Sequence, residues 1–164
     1  MDKIFLKQSL FYGSYFAFPF IAYVLWRMRA PGRRLIGLCL LAIGLLFVWA
    51  RFVEPQMIRV QETTVSGTGI DARIILISDI HLGIYKDRAF LERVVRRIDT
   101  LQADAVVIAG DLTYEPAQDS LQELFSPLAQ LKPPVYAVLG NHDQQATGLD
   151  IDVALRKARM ANRV

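Results

Sequence analysis

Three short apolar runs in the second half of the chain each stop at a polar motif, and the intervals between them are regular. Residues 73–78 (RIILIS) lead into Asp79-Ile80-His81, residues 105–109 (AVVIA) into Gly110-Asp111, and residues 135–139 (VYAVL) into Gly140-Asn141-His142-Asp143. Runs this short and this rich in β-branched residues are strands, not helices. The intervals between them hold helical periodicity. After Asp87, a candidate N-cap, the apolar residues Phe90, Leu91, Val94, Val95, Ile98 and Leu101 recur at helical spacing. Leu121, Leu124, Phe125, Leu128 and Leu131 do the same, with a break expected near Pro127 and an end at Pro133-Pro134. Residues 150–162 form a third amphipathic segment, with Ile151, Ala154, Leu155 and Ala158 on one face. Strands alternating with helices specify an α/β fold built on a parallel sheet, a βαβαβ-type arrangement. The wholly apolar AVVIA run is expected in a sheet covered on both faces.

Ahead of this sheet, residues 57–65 (MIRVQETTV) partly alternate, and Gly67-Thr68-Gly69 is a turn signal. Together with residues 73–78 they predict a β-hairpin feeding the first motif.

The first third of the chain obeys different rules. Residues 8–26 carry no charge, and nineteen residues at helical rise span about 28 Å, close to the thickness of a bilayer's hydrocarbon. Residues 35–50 are again uncharged, and Arg51 can snorkel so that Phe52 and Val53 extend the run to 53. Tyr12, Tyr15, Tyr23, Trp26 and Trp49 lie mostly toward the run ends, where interfacial aromatics collect. A signal peptide has a shorter apolar core and a small-residue cleavage site, which these runs lack. Two transmembrane helices, at about 8–26 and 35–53, are therefore expected. The expected division is a membrane region over 1–54 and a soluble domain over 55–164.

The segment between the runs holds Arg27, Arg29, Arg33 and Arg34, which favours a cytoplasmic loop. Both termini then lie outside, and the soluble domain is expected on the periplasmic or extracellular side of the cell (inner) membrane. Charge follows the same division. Residues 1–66 hold eight Lys/Arg against three Asp/Glu, whereas residues 67–164 hold eleven against thirteen. The basic character belongs to the membrane half, and a nucleic-acid surface on the soluble half is excluded. Cys39, the one cysteine, cannot form an internal disulfide and is expected as a buried space-filling thiol.

In an open α/β sheet, ligands collect outside the carboxyl ends of the strands, so the three motifs converge. Asp79 and His81 together offer a carboxylate oxygen and an imidazole nitrogen, a donor pair suited to Zn, Mn or Fe better than to Ca. Asp111 presents a carboxylate that can bridge two metals. Asn141 offers a neutral amide oxygen. His142 can donate a hydrogen bond or a proton, with Asp143 placed to orient it. Each motif alone also reads as a polar turn; their order and spacing carry the signal.

In these residues the chain resembles the calcineurin-like metallophosphoesterase superfamily over about 71–145, and most closely the bacterial branch with membrane-spanning segments ahead of the catalytic domain. The resemblance implies the N-terminal half of a two-layer sandwich and two divalent metal ions. It makes Asp79 and His81 ligands of the first metal, Asp111 the bridge and Asn141 a ligand of the second. His142 would sit beside the substrate phosphate, with Asn141 also near it, and Asp143 would support the site. The reaction implied is hydrolysis of a phosphoester or pyrophosphate by in-line attack of water that the metals activate. The family pattern continues with a later His and a Gly-His-x-His element, whereas the two histidines here are His81 and His142. The expectation is thus a C-terminally truncated, membrane-anchored phosphoesterase with one apolar sheet face left open, holding two metals, one or none. A second chain completing the domain is one way to restore the site, and a catalytically inactive membrane fragment is the alternative. The expected partners are the bilayer and a phosphate-containing substrate, with a lipid favoured by the anchoring.

Overall fold

A computed structural model describes residues 3–30, 32, 34–116, 121–145 and 150–160; the side chains of 3, 4, 145 and 158–160 are not described. Pro31 and Arg33 of the basic segment, Ala158 as a face residue and the expected helix end at 161–162 therefore fall outside it. The chain divides into two compact units, Met1–Arg59 and Val60–Val164.

The first unit is a helical hairpin. Helix α1 (Lys3–Gly13) runs through a 3-10 turn, Ser14–Phe16, into α2 (Ala17–Arg27). The tightened turn has a local cause. Pro19 has no N–H to give and its ring crowds the carbonyl of Tyr15, so the regular ladder breaks one turn upstream. Within this turn Ser14 Oγ donates to the Phe11 carbonyl at 2.5 Å. Helix α3 (Arg34–Val48) continues through a π turn, Trp49–Val53. Phe5–Arg27 and Arg34–Gln56 are each 23 residues of apolar helix, long enough to cross a membrane, and only 11% of each apolar window is buried inside the protein. A soluble core helix would be buried; these present Leu10, Phe16, Leu35, Ile43 and Leu46 outward. The buried glycines Gly37 and Gly44 of α3 lie against Met28 and Ile21, which lets the two helices approach closely. Arg51 is held by aromatic rings, its guanidinium 4.6 Å from the centre of Phe11 and 5.2 Å from that of Phe52. Cys39 is exposed on the outer side of α3 rather than buried. On a helix with an apolar exterior, a small apolar side chain needs no protein partner.

The second unit is built on a parallel sheet of β1 (Ile74–Ile77), β3 (Ala105–Ala109) and β5 (Val135–Val138) in the order β1-β3-β5. Ile75 pairs with Val106, and Val106 with Val135. Helix α4 (Arg88–Asp99) links β1 to β3, and Asp87 caps it by accepting from the Phe90 amide at 2.9 Å. Between β3 and β5, α5 (Leu121–Phe125) gives way at Ser126–Gln130 to a 3-10 turn that contains Pro127. Helix α6 (Asn141–Gln145) and α7 (Ile151–Met160) follow β5. The core is Phe90, Leu91, Val95 and Ile98 of α4 with Val106, Ile108, Phe125, Leu128 and Ile151, all at least 95% buried.

Two expectations change. The hairpin does not form: residues 57–73 contain no strand, and Met57, Val60, Val65 and Ile70 are exposed. The alternation there is incomplete, so the segment has no apolar face to lay on a neighbour. Among the described residues the sheet is also covered on one face, not both. Ile74, Leu76, Tyr136 and Val138 project from the other face and are 59–67% exposed. The sequence also gave no sign of a second, two-residue parallel ladder, β2 (Leu82–Gly83) with β4 (Thr113–Tyr114).

Candidate metal centre

All three motifs follow the carboxyl ends of neighbouring strands, and the loops that carry them are fastened to one another by backbone hydrogen bonds. The Asp79 amide donates to the Gly110 carbonyl at 3.2 Å, the His81 amide to the Asp111 carbonyl at 3.0 Å and the Leu82 amide to the Leu112 carbonyl at 2.8 Å. The first loop is thereby laid along the second. The third reaches the second through the His142 amide, which donates to Asp111 Oδ1 at 3.0 Å.

Two glycines make this approach possible. A Cβ on Gly110, which has φ 88°, would lie 2.8 Å from both N and Cα of Gly140. A Cβ on Gly140 would run into Asp111, both its amide and its carboxylate. Both motif glycines are therefore required by contact between loops, and Gly110 also by its left-handed backbone.

Asp79, His81 and Asp111 all adopt left-handed backbone conformations, with φ of 55°, 53° and 52°. Each costs about 1–3 kcal/mol and persists only where the surroundings over-determine it, which is typical of functional loops. The effect on the alternation is direct. Ile80 and Leu82 are buried while Asp79 and His81 turn their side chains toward the edge of the sheet. Ligand atoms of Asp79, His81 and Asp111 all lie within 4.8 Å of one another. His81 Nε2 is 3.6 Å from Asp79 Oδ1. Two carboxylate oxygens and one imidazole nitrogen at this separation fit a single divalent first-row cation between them.

His142 stands next to this group, its ring 5.2 Å from that of His81 and nearly perpendicular to it. Asn141 is exposed at the first position of α6, beside His142. Asp143 is placed differently from a residue that orients an imidazole. It is 3% exposed, and its carboxylate accepts four hydrogen bonds. The donors are the amides of Leu112 (3.2 Å), Thr113 (2.8 Å) and Gly140 (2.9 Å) and the Thr113 hydroxyl (2.7 Å). Asp143 lies beneath the loops and binds the second to the third.

Two residues at the site escaped the sequence reading. The Tyr114 ring packs against both imidazoles, 5.6 Å from His81 and 4.9 Å from His142. It sits in a ladder too short to show periodicity. Lys86 is half-buried, with its ammonium 4.7 Å from the centre of the Phe90 ring. Burial holds its pKa below the usual lysine value, and the negative charge of Asp79 acts in the opposite sense. A lysine in a loop between two elements has no pattern to mark it.

A model of the calcineurin-like phosphoesterase family matches residues 72–162, more than half of the chain. The transmembrane protein with metallophosphoesterase domain of Danio rerio is 44% identical over 73 residues, 43% of this chain and 16% of that protein. The UDP-2,3-diacylglucosamine pyrophosphatase LpxG of Chlamydia trachomatis is 35% identical over 106 residues, 60% of this chain and 32% of that one. An uncharacterized metallophosphoesterase of Helicobacter pylori is 27% identical over 146 residues, 85% of this chain and 39% of that one. The matched region is thus well under half the length of each of these relatives. No solved structure matches the chain at comparable significance.

Proposed function

This chain belongs to the calcineurin-like phosphoesterase family, and from that premise we propose that it carries the first three ligand loops of a membrane-held, metal-dependent phosphoesterase. One observation carries the reading: ligand atoms of Asp79, His81 and Asp111 converge within 4.8 Å on three residues whose backbones are all left-handed. In this reading Asp79, His81 and Asp111 would hold a first metal, and Asp111 and Asn141 would serve a second. Mn, Fe and Zn all suit the donor set. Bound metals would supply charge stabilisation at the phosphoryl oxygens and a lowered pKa for water.

The chain's own residues do the rest. Asp111 Oδ1 holds the His142 amide, which fixes the start of α6 at the site's edge. The His142 imidazole, beside His81, is placed to hydrogen-bond a phosphoryl oxygen and to give its proton to the departing oxygen. Asp143 keeps loops two and three in register by accepting from the amides of Leu112, Thr113 and Gly140.

The two apolar helices and the Chlamydia relative named as a UDP-2,3-diacylglucosamine pyrophosphatase support a substrate at the bilayer, a phosphoester or pyrophosphate with a lipid portion. The arginines between the helices support a cytoplasmic loop and a catalytic unit on the opposite side.

The test is hydrolysis of bis-p-nitrophenyl phosphate by the purified, detergent-solubilised chain with added Mn²⁺, beside His142→Ala and Asp111→Asn. Hydrolysis lost in both variants is expected. Metal bound without turnover would make the unit a binding module, and the loss of neither activity would reject the site.

A further inference from the structure

A histidine that ligates a metal through one ring nitrogen ordinarily gives its other N–H to a carboxylate or carbonyl, and that bond fixes the ring. His81 departs from this. Its Nε2 faces Asp79, while Nδ1 is buried and has no hydrogen-bond partner among the described residues. Some other contact must set the plane of the ring.

The contacts present are aromatic. Tyr114 meets the His81 ring at 84° and the His142 ring at 61°, and the two imidazoles meet each other at 82°. The three rings form a closed, mutually inclined cluster, an arrangement in which the positive edge of one ring meets the negative face of the next. Tyr85 stands behind Tyr114 with its ring centre 5.7 Å away.

Tyr114 is itself anchored on both sides. Its neighbour Thr113 is fully buried and gives both its amide and its hydroxyl to Asp143. Across the β2–β4 ladder Tyr114 pairs with Gly83, where a Cβ would strike the Tyr114 carbonyl oxygen and approach Pro116 Cα at 3.2 Å. That carbonyl accepts from the Ile84 amide at 3.4 Å. The short ladder thus holds one ring in place against two histidines.

We propose that Tyr114 is a positioning residue whose aromatic ring fixes the rings of His81 and His142. It takes the place of the hydrogen bond that ordinarily orients a metal-ligating histidine. The proposal rests on the phosphoesterase reading in that it takes His81 as a metal ligand, but its consequence is read in metal affinity and needs no turnover.

The experiment measures Mn²⁺ affinity of the full chain in detergent from the free Mn²⁺ electron paramagnetic resonance signal, together with thermal stability. Tyr114→Leu and Tyr114→Met remove the ring and are expected to weaken Mn²⁺ binding about tenfold or more, the loss seen when an orienting partner is removed. Tyr114→Phe keeps the ring and stays within about twofold of the wild type. Val95→Ala, in the core of α4 away from the motifs, sets the control for stability lost without a change at the site. Of the two ring-free variants, the one closer in melting temperature to Val95→Ala is compared with it. The proposal is overturned if that variant binds as the wild type does, if Val95→Ala weakens binding as much, or if Tyr114→Phe behaves like Tyr114→Leu. Unchanged Mn²⁺ binding in His81→Ala would instead reject His81 as a ligand, and the positioning role with it.

Discussion

Asp143 offers the sharpest test of how the site is held. Its two carboxylate oxygens serve four donors: Oδ1 takes the amide and hydroxyl of Thr113, and Oδ2 takes the amides of Leu112 and Gly140. Asp143→Asn converts one oxygen to an NH₂ group. If that group replaces Oδ2, two backbone amides face a donor. If it replaces Oδ1, only the Thr113 amide is orphaned, since the Thr113 hydroxyl can turn and accept. The second rotamer is therefore favoured. One buried unsatisfied amide costs about 1–3 kcal/mol, and the remaining bonds lose the extra strength of a charged acceptor. The expected loss is about 2–4 kcal/mol in all. Asp143→Ala has no such escape and strands three buried amides and the Thr113 hydroxyl, so at about 1–3 kcal/mol per amide the loss is about 3 kcal/mol or more, against a typical domain stability of about 5–15 kcal/mol. Thermal or denaturant unfolding gives the totals, and amide hydrogen exchange gives the location, with protection lost first at Leu112, Thr113 and Gly140. A change below about 0.5 kcal/mol in Asp143→Ala, the scale of an ordinary surface substitution, would refute the reasoning.

Further outcomes follow from other contacts. Gly110→Ala sets a Cβ 2.8 Å from Gly140 on a backbone with φ 88°, so a loss of about 2 kcal/mol or more is expected on unfolding, with weakened metal binding because Asp111 shifts. Cys39, exposed on an apolar helix, stays unlabelled by a membrane-impermeant maleimide in intact membranes and is labelled after denaturation in detergent; labelling in intact membranes would contradict the span. Lys86 binds its proton less tightly in the folded chain than the ordinary value of 10.5, so the unfolded state carries more protons between the two values and stability rises with pH across that window. In metal-free melts the wild type should gain on Lys86→Met as pH climbs toward 10.5, and a constant difference would remove burial as the cause of the shift.

The parts of this molecule that were legible in the sequence are those governed by local rules. The strands β1, β3 and β5 could be placed because each apolar run stops at a motif that must turn. Asp87 and Pro127 marked a helix start and a helix break through chemistry confined to one turn. What stayed hidden depends on contacts between distant segments. The alternation in residues 57–65 looked like a strand, but a strand also needs a partner and a face to bury, and the described residues supply neither there. Gly110 and Gly140 were readable as turn residues, yet their shared reason is that two loops touch back to back. Asp143 looked like a partner for His142 because they are adjacent in sequence; in space its carboxylate points down into the loops. Tyr114 sits in a two-residue ladder that no periodicity can reveal, and its ring contacts disclose it.

The central claim is that Asp79, His81 and Asp111 form a metal centre. Asp104 is the natural control for Asp111: it also adjoins β3, but at the opposite end, where its carboxylate accepts from the Arg73 amide at 2.7 Å. The decisive measurement is Mn²⁺ binding by the full chain in detergent, with Asp111→Asn beside Asp104→Asn. Binding retained in Asp104→Asn and lost or greatly weakened in Asp111→Asn is the predicted result. Equal binding in the two variants would contradict the account and leave the convergence of the three motifs as a feature of the fold alone.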